Sequence, residues 1–282
     1  MRLMPAPVNH GVVFRRIDIA GKPEIEAVAD MVISTKRSTL LGSGETTVST
    51  VEHLLSALFG LNIDNLLVEV DGPEIPILDG SAKPYADALT EDMIVEQSSP
   101  RCIIKIEKQL VCRDEESAAE IIIYPDDKFS IELSIDYKSD VLGVQEARYD
   151  EKSDFRREIA PAKTFVFIHE LEPLIENDLI KGGDLDNAVV IAEKAVSGEF
   201  AEKLGRLFGI SGVKSIPKGY VNEEIVIFDN ECARHKLLDL MGDLFLAGGA
   251  IIGRVVVKKP GHKINTKAAK MIRDGERKLW KC

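Results

Sequence analysis

Arg234-His235-Lys236-Leu237-Leu238-Asp239-Leu240-Met241-Gly242-Asp243-Leu244 is the stretch around which the chain is organised. It sets His235, Asp239 and Asp243 four residues apart, with leucines between them. Four residues advance a helix by about 400°, so the three polar side chains share one narrow stripe. An imidazole and a carboxylate one turn apart can reach the same divalent cation, which makes this helix a candidate for two zinc ligands. A hydrogen-bonded pair on a solvated face gives the same spacing. Two further settings favour the metal reading. Thr50-Val51-Glu52-His53-Leu54-Leu55-Ser56-Ala57-Leu58 is a second helical pattern, with an adjacent Glu-His pair, and Gly261-His262 follows a strand-like run. Three of the five histidines fall in these settings, whereas His10 and His169 read as structural or surface residues.

The bulk properties narrow the function. The chain has 282 residues, enough for one large or two medium domains with a sizeable core. Its net charge of -11 argues against a duplex nucleic-acid binder, which needs a basic footprint to displace phosphate counterions, but leaves room for a small anionic ligand at a local lysine cluster. Cys102, Cys112, Cys232 and Cys282 form no CxxC pair and no dense disulfide framework, as in a reducing compartment. There is no signal peptide and no apolar run of about 20 residues, so a cytoplasmic protein without a transmembrane segment is expected.

Along the chain, β-rich and helix-rich segments alternate. Gly11 to Ile19 reads as a strand and Ser38 to Glu45 as a Gly/Ser/Thr loop. Apolar residues at Val51, Leu54, Leu55 and Leu58 predict an amphipathic helix over Thr50 to Gly60, capped by Ser49 or Thr50. Leu66 to Val70 is a short buried strand, and a turn-rich excursion from Asp71 to Ser81 leads to a helix over about Pro84 to Asp92. Glu96-Gln97-Ser98-Ser99-Pro100 reads as a linker. Strands follow at Cys102 to Glu107, Glu120 to Tyr124 and Phe129 to Tyr137, the last two as a hairpin. A strand over Ile251 to Lys259 precedes a final helix over about Thr266 to Leu279. Both halves thus suggest α+β domains of like topology.

Thr50-Val51-Glu52-His53-Leu54, Glu74-Ile75-Pro76-Ile77-Leu78-Asp79-Gly80-Ser81, Ala162-Lys163-Thr164-Phe165, Lys181-Gly182-Gly183, the Arg234 to Leu244 helix and Gly261-His262 occur in one order over some two hundred residues. Together they closely resemble the UDP-3-O-acyl-N-acetylglucosamine deacetylase family of lipid A biosynthesis. The resemblance implies an α+β fold of two similar domains, 1-97 and 100-282, each a β-sheet packed against helices in a layered sandwich, with the active site between the helical layers. It implies one catalytic zinc on His53, His235 and Asp239, three ligands that leave a position open for water. Zinc would lower the pKa of that water toward about 7 and polarise the acetyl carbonyl. The family pattern makes Glu52 the general base, His262 the general acid, Asp243 its orienting carboxylate and Thr164 an oxyanion donor. Lys236 is assigned to substrate binding. Phe165, Ile168, Leu171, Ile180 and Val190 match an apolar passage, inserted at about 164-190, for the substrate's 3-O-acyl chain. The implied reaction releases acetate from UDP-3-O-acyl-N-acetylglucosamine in a monomer, with ferrous iron as an alternative metal.

The chain departs from the family pattern at its start. Members usually carry some two dozen further residues, including a Gly-x-Gly-Leu-His-Ser-Gly loop, so the first domain is expected to lack one strand and part of another, exposing a sheet edge. That departure motivates an alternative: a truncated, catalytically silent homologue that binds nucleotide sugar or acts as a scaffold. Asn230, Cys232 and Ala233 replace the acidic, aromatic and β-branched residues usual before the metal helix, which predicts looser packing there. Cys232 as a fourth ligand is rejected, because it would close the open position.

Overall fold

The computed structural model describes residues 1–171, 186–207 and 213–276. In the amino-terminal half, strands β1 (Arg2–Pro5), β2 (Val12–Arg16), β3 (Glu24–Glu26), β4 (Val32–Ser34), β5 (Leu40–Ser43) and β6 (Thr46–Val48) precede helix α1 (Glu52–Gly60), strand β7 (Leu66–Val70) and helix α2 (Lys83–Ala88). One sheet has the order β1-β7-β2-β3, with β2 parallel to β7 and the other pairs antiparallel. A second sheet is the antiparallel meander β4-β5-β6. Half of the predicted loop over Ser38 to Glu45 is therefore strand, turned at Gly44, whose φ of 59° suits a residue without a Cβ. All of β1 pairs with β7, from Arg2 opposite Glu69 to Pro5 opposite Leu66.

The carboxy-terminal half contributes β8 (Ile103–Lys105), β9 (Leu110–Asp114), β10 (Ala119–Tyr124), β11 (Phe129–Asp136) and β12 (Val144–Asp150). They are followed by α3 (Phe155–Glu158), β13 (Phe165–Phe167), β14 (Val189–Ala192), β15 (Val196–Ser197), α4 (Glu199–Leu207), β16 (Ser215–Ile216) and β17 (Gly219–Tyr220). The chain then forms α5 (Glu231–Phe245), β18 (Ala250–Lys258) and α6 (His262–Glu276). The main sheet runs β12-β11-β18-β10-β9, with β8 also against β18. The expected hairpin between Glu120 to Tyr124 and Phe129 to Tyr137 is not formed. β18 lies between the two strands, antiparallel to β10 and parallel to β11, so Val256 pairs with both Ile122 and Glu132. The valine-rich β18 takes the doubly paired position because its alternate residues Val255 and Val257 meet Ile121, Ile123, Ile131 and Leu133 in the core.

Helix boundaries differ from expectation where side chains have other partners. Thr50 does not cap α1: it is in the left-handed region at φ 59°, and its hydroxyl donates to Glu74 Oε1 at 2.9 Å. The helix read over Pro84 to Asp92 ends at Ala88, before a 3₁₀ turn at Glu91–Met93. The last helix starts four residues earlier than expected, with His262 as its first residue. At the start of α5, Cys232 and Ala233 are fully buried and the preceding Asn230 bonds Arg234 and the Glu146 carbonyl, so the expected loose packing is absent. No helix among the described residues is long and apolar enough to cross a membrane.

The two halves share one apolar core. α5 lies on β11 and β12, α6 lies on β9 and β10, and α1 packs against α5. Leu54, Leu55 and Leu58 of α1 and Leu237, Leu238, Leu240, Met241 and Leu244 of α5 are fully buried. Each such side chain contributes about 1.5–3 kcal/mol relative to exposure. The helices are in close backbone contact at Gly242, where a Cβ would stand 2.1 Å from the Glu52 carbonyl oxygen. Gly242→Ala gains about 1 kcal/mol of helix propensity but pushes a methyl into backbone, an overpacking cost of about 1–3 kcal/mol, and neither helix can rotate that backbone away. The variant is expected to lose up to about 2 kcal/mol net in urea denaturation, with an unchanged m value. A midpoint at or above that of the wild type would contradict this close contact.

Candidate active site between three helices

His53 comes from the first turn of α1, and His235 and Asp239 from successive turns of α5. All three are buried. Each offers one ligand atom, and these atoms lie within 4.8 Å of one another. Asp239 Oδ1 is 3.3 Å from His235 Nε2 and 3.7 Å from His53 Nε2. His235 Nδ1 lies 3.1 Å from the Ala162 carbonyl, which can only accept, so Nδ1 carries the proton and Nε2 turns a lone pair toward the carboxylate. Asp239 Oδ1 and His53 Nδ1 are buried without a hydrogen-bond partner among the described residues. A lone pair facing a buried carboxylate oxygen is repulsive unless a cation lies between them. The donor set of two imidazoles and one carboxylate fits a divalent metal.

The electrostatics suit that fit. Burial, helped by His235, pulls the His53 pKa down to about 3, and burial also lowers that of His235, so both rings are neutral. Burial opposes ionisation of Asp239, yet Lys236 and the three neighbouring histidines hold it far below the ordinary carboxylate range. Lys236 Nζ donates to Asp239 Oδ2 at 2.8 Å and lies 5.4 Å from the centre of the Phe165 ring. Cys232 is not in the donor group, and burial pushes its thiol up to about 12.

Glu52 and His262 form a second cluster beside the first. Glu52 Oε1 is 3.7 Å from His262 Nε2, and His262 Nδ1 donates to Asp243 Oδ2 at 2.9 Å. Burial pushes Glu52 up to about 7, with His262 opposing and Asp239 and Asp243 adding to the rise. For His262, burial alone would lower the pKa, but the charge and hydrogen bond of Asp243 outweigh it and carry it up to about 10. The pair therefore sets a carboxyl whose pKa is raised toward neutrality beside an imidazole whose pKa is raised above it. Two residues not singled out in the sequence complete the cluster. Thr39 donates through its hydroxyl to Asp243 Oδ1 at 2.5 Å and through its N–H to Glu52 Oε2 at 3.1 Å, and Asn265 Nδ2 donates to Asp243 Oδ2 at 2.9 Å. Asn265 shares the first turn of α6 with His262, a spacing the sequence could have suggested, whereas nothing local marks Thr39.

The remaining expected residues are divided between two places. Thr164 precedes β13, its N–H bonded to the Gly80 carbonyl at 2.8 Å and its own carbonyl to Val189 N at 2.7 Å. Phe165 lies 6.4 Å from His235, ring centre to ring centre, and packs with Tyr137 and Phe167. Ile168, Leu171 and Val190 converge instead in a separate buried apolar cluster with Ala192, Leu204 and Ile216. Ile180 lies outside the described residues.

The family model described as LpxC, UDP-3-O-acyl N-acetylglycosamine deacetylase, matches residues 1–202 and 213–274. A bifunctional enzyme LpxC/FabZ of Porphyromonas gingivalis is 46% identical over 269 residues, covering 95% of this chain and 58% of that protein. One from Bacteroides thetaiotaomicron is 45% identical with the same coverage, so the chain spans a little over half the length of these relatives. A UDP-3-O-acyl-N-acetylglucosamine deacetylase of Thioalkalivibrio sulfidiphilus is 38% identical over 283 residues, 99% of this chain and 84% of that protein. On this near-complete match, the chain belongs to the LpxC family.

Proposed function

We propose that this chain hydrolyses the N-acetyl group of UDP-3-O-acyl-N-acetylglucosamine, releasing acetate, with one zinc ion held by His53, His235 and Asp239. The observation that carries the reading is the convergence of these three donors beside the Glu52–His262 pair. Zinc bound there would polarise the acetyl carbonyl and lower the pKa of a water toward about 7. Glu52, raised to about 7, is ionised enough at neutral pH to take a proton from the attacking water, and acidic enough once protonated to release it. His262 holds a proton at Nε2, on the side facing Glu52, and delivers it to the departing amine nitrogen. Asp243 orients the ring by accepting from Nδ1 and keeps it an imidazolium.

In the same reading, the Thr164 hydroxyl donates to the developing oxyanion, and backbone bonds to Gly80 and Val189 fix the position of that residue. Lys236 gives an acidic chain a local positive charge for an anionic nucleotide sugar. Phe165, Ile168, Leu171 and Val190 receive the acyl chain. The protein acts as a cytoplasmic monomer of two domains, 1-97 and 100-282.

Three outcomes test these assignments. His53→Ala is expected to reduce metal content from one ion per chain to near zero by elemental analysis, and undiminished zinc would remove His53 from the ligand set. His262→Ala should keep its metal and lose about 10²- to 10⁴-fold in acetate release from UDP-3-O-acyl-N-acetylglucosamine, the usual worth of a general acid. Near-normal kcat in that variant would count against the role. Asp243→Asn removes the charge that outweighs burial at His262, so the imidazolium is lost at lower pH and the alkaline limb of kcat/KM moves toward neutrality. A limb that stays in place would show that Asp243 does not set the state of His262.

A further inference from the structure

Thr39 touches both halves of the acid–base pair. It is fully buried at the entry to β5, after Arg37 turns the chain through the left-handed region at φ 66°. Its two bonds go to different helices: the N–H reaches Glu52 Oε2 on α1 at 3.1 Å, and the hydroxyl reaches Asp243 Oδ1 on α5 at 2.5 Å.

The division of donors on Asp243 gives the hydroxyl its importance. Oδ2 takes both the His262 Nδ1–H and an N–H of Asn265, each at 2.9 Å. Rotation about the Cβ–Cγ bond carries both oxygens together, so the two donors on Oδ2 restrain the carboxylate from one side of that axis only. A third donor on Oδ1 fixes the plane, and with it the direction in which Oδ2 meets the imidazole. At Glu52 the logic is the same: the Thr39 N–H occupies Oε2, which leaves Oε1 as the oxygen facing His262 Nε2. We propose that Thr39 is a positioning residue of the deacetylase reaction, fixing through one side chain and one amide the carboxylate that aims the general acid and the carboxylate that serves as base.

The chemistry of the residue makes the proposal separable from fold. Any residue but proline supplies the N–H to Glu52, whereas only a hydroxyl of this length reaches Asp243 without adding a charge. Thr39→Val keeps shape and amide and removes the O–H alone, leaving Asp243 Oδ1 buried without a donor. Thr39→Ser keeps the O–H.

The inference rests on the deacetylase reading for its kinetic arm only, and the test has a second arm that does not. In metal-loaded protein, Thr39→Val is expected to lower kcat on UDP-3-O-acyl-N-acetylglucosamine by roughly 10- to 100-fold, the usual effect of an outer hydrogen-bond partner, with KM and metal content unchanged. Thr39→Ser should restore kcat. In the second arm, the imidazole resonances of His262 are followed by NMR without substrate. His262 faces Asp243 on α5 and Glu52 on α1, with the charge of Asp239 nearby, and its titration midpoint should move in Thr39→Val and return in Thr39→Ser. Wild-type kcat and an unmoved His262 midpoint in Thr39→Val would overturn the proposal, as would a loss of kcat matched by loss of metal. If the wild type does not turn over this substrate, the deacetylase reading fails, while the His262 titration still decides the tie. Should Thr39→Val not fold, the wild type answers: a slowly exchanging Thr39 hydroxyl proton must be visible, and its absence overturns the assignment.

Discussion

The crossing of α1 and α5 at Gly242 is the constraint on which the site depends. With no Cβ between them, the Glu52 backbone and α5 meet at a distance no other residue allows. That contact brings His53, one residue after Glu52, opposite the stripe formed by His235 and Asp239. It also places the Glu52 side chain on the side of α6, where His262 and Asp243 meet. A crossing wider by a methyl group would separate the imidazoles, whose ring centres are 5.1 Å apart, and would open the polar interior to water. The leucines around it, Leu54, Leu55, Leu58, Leu237, Leu238 and Leu244, hold the crossing shut.

The same desolvation acts on every ionisable group in the site, yet it produces opposite protonation states because the neighbours differ. Glu52 and Asp239 are both buried carboxyls. Asp239 has an ammonium at 2.8 Å and two imidazoles on its other oxygen, so it remains an anion. Glu52 has the more distant His262 and a backbone N–H to oppose burial, with two acidic neighbours working against them, and it moves to about 7. The histidines divide in the same way: His53 and His235 stay neutral, as ligands must, while His262 keeps its proton against Asp243. Position relative to three carboxylates and one lysine separates the proposed ligands from the proposed acid.

How much of this was legible in the sequence follows from how local each interaction is. The i, i+4 stripe of His235, Asp239 and Asp243, the Glu52-His53 pair and the Leu66–Val70 strand rest on periodicity within one element, and the structure contains them. The pairing of β10 and β11 through β18 could not be read that way, because strand order depends on a partner more than a hundred residues away. Short separation in sequence favoured a hairpin, but burial of the Ile251, Val255 and Val257 face of β18 against β10 and β11 favoured the centre of the sheet. Thr39 escaped for a similar reason. Its partner Asp243 is 204 residues distant, and a threonine entering a strand is marked by nothing local. Asp243 was legible as a member of the stripe, while its bonds to Thr39 and Asn265 were not.

A second glycine contact extends the argument from the crossing to the rest of the site. Gly80 stands at φ 78° where a Cβ would lie 1.7 Å from the Asn187 carbonyl oxygen, and its own carbonyl accepts from Thr164 N. Lys163 adds bonds from its ammonium to the carbonyls of Asp79 and Asp186. The loop ending in Asp79-Gly80-Ser81 is thus bound directly to the segment that carries Thr164, as α1 is bound directly to α5. Both joints connect the amino-terminal half to the carboxy-terminal half through a glycine pressed on backbone. Two separated contacts of this kind leave little freedom to hinge, because rotation about one drives the other into overlap. The distances between His53 and Asp239, and between Glu52 and His262, are therefore set by the docking of the halves rather than by either half alone.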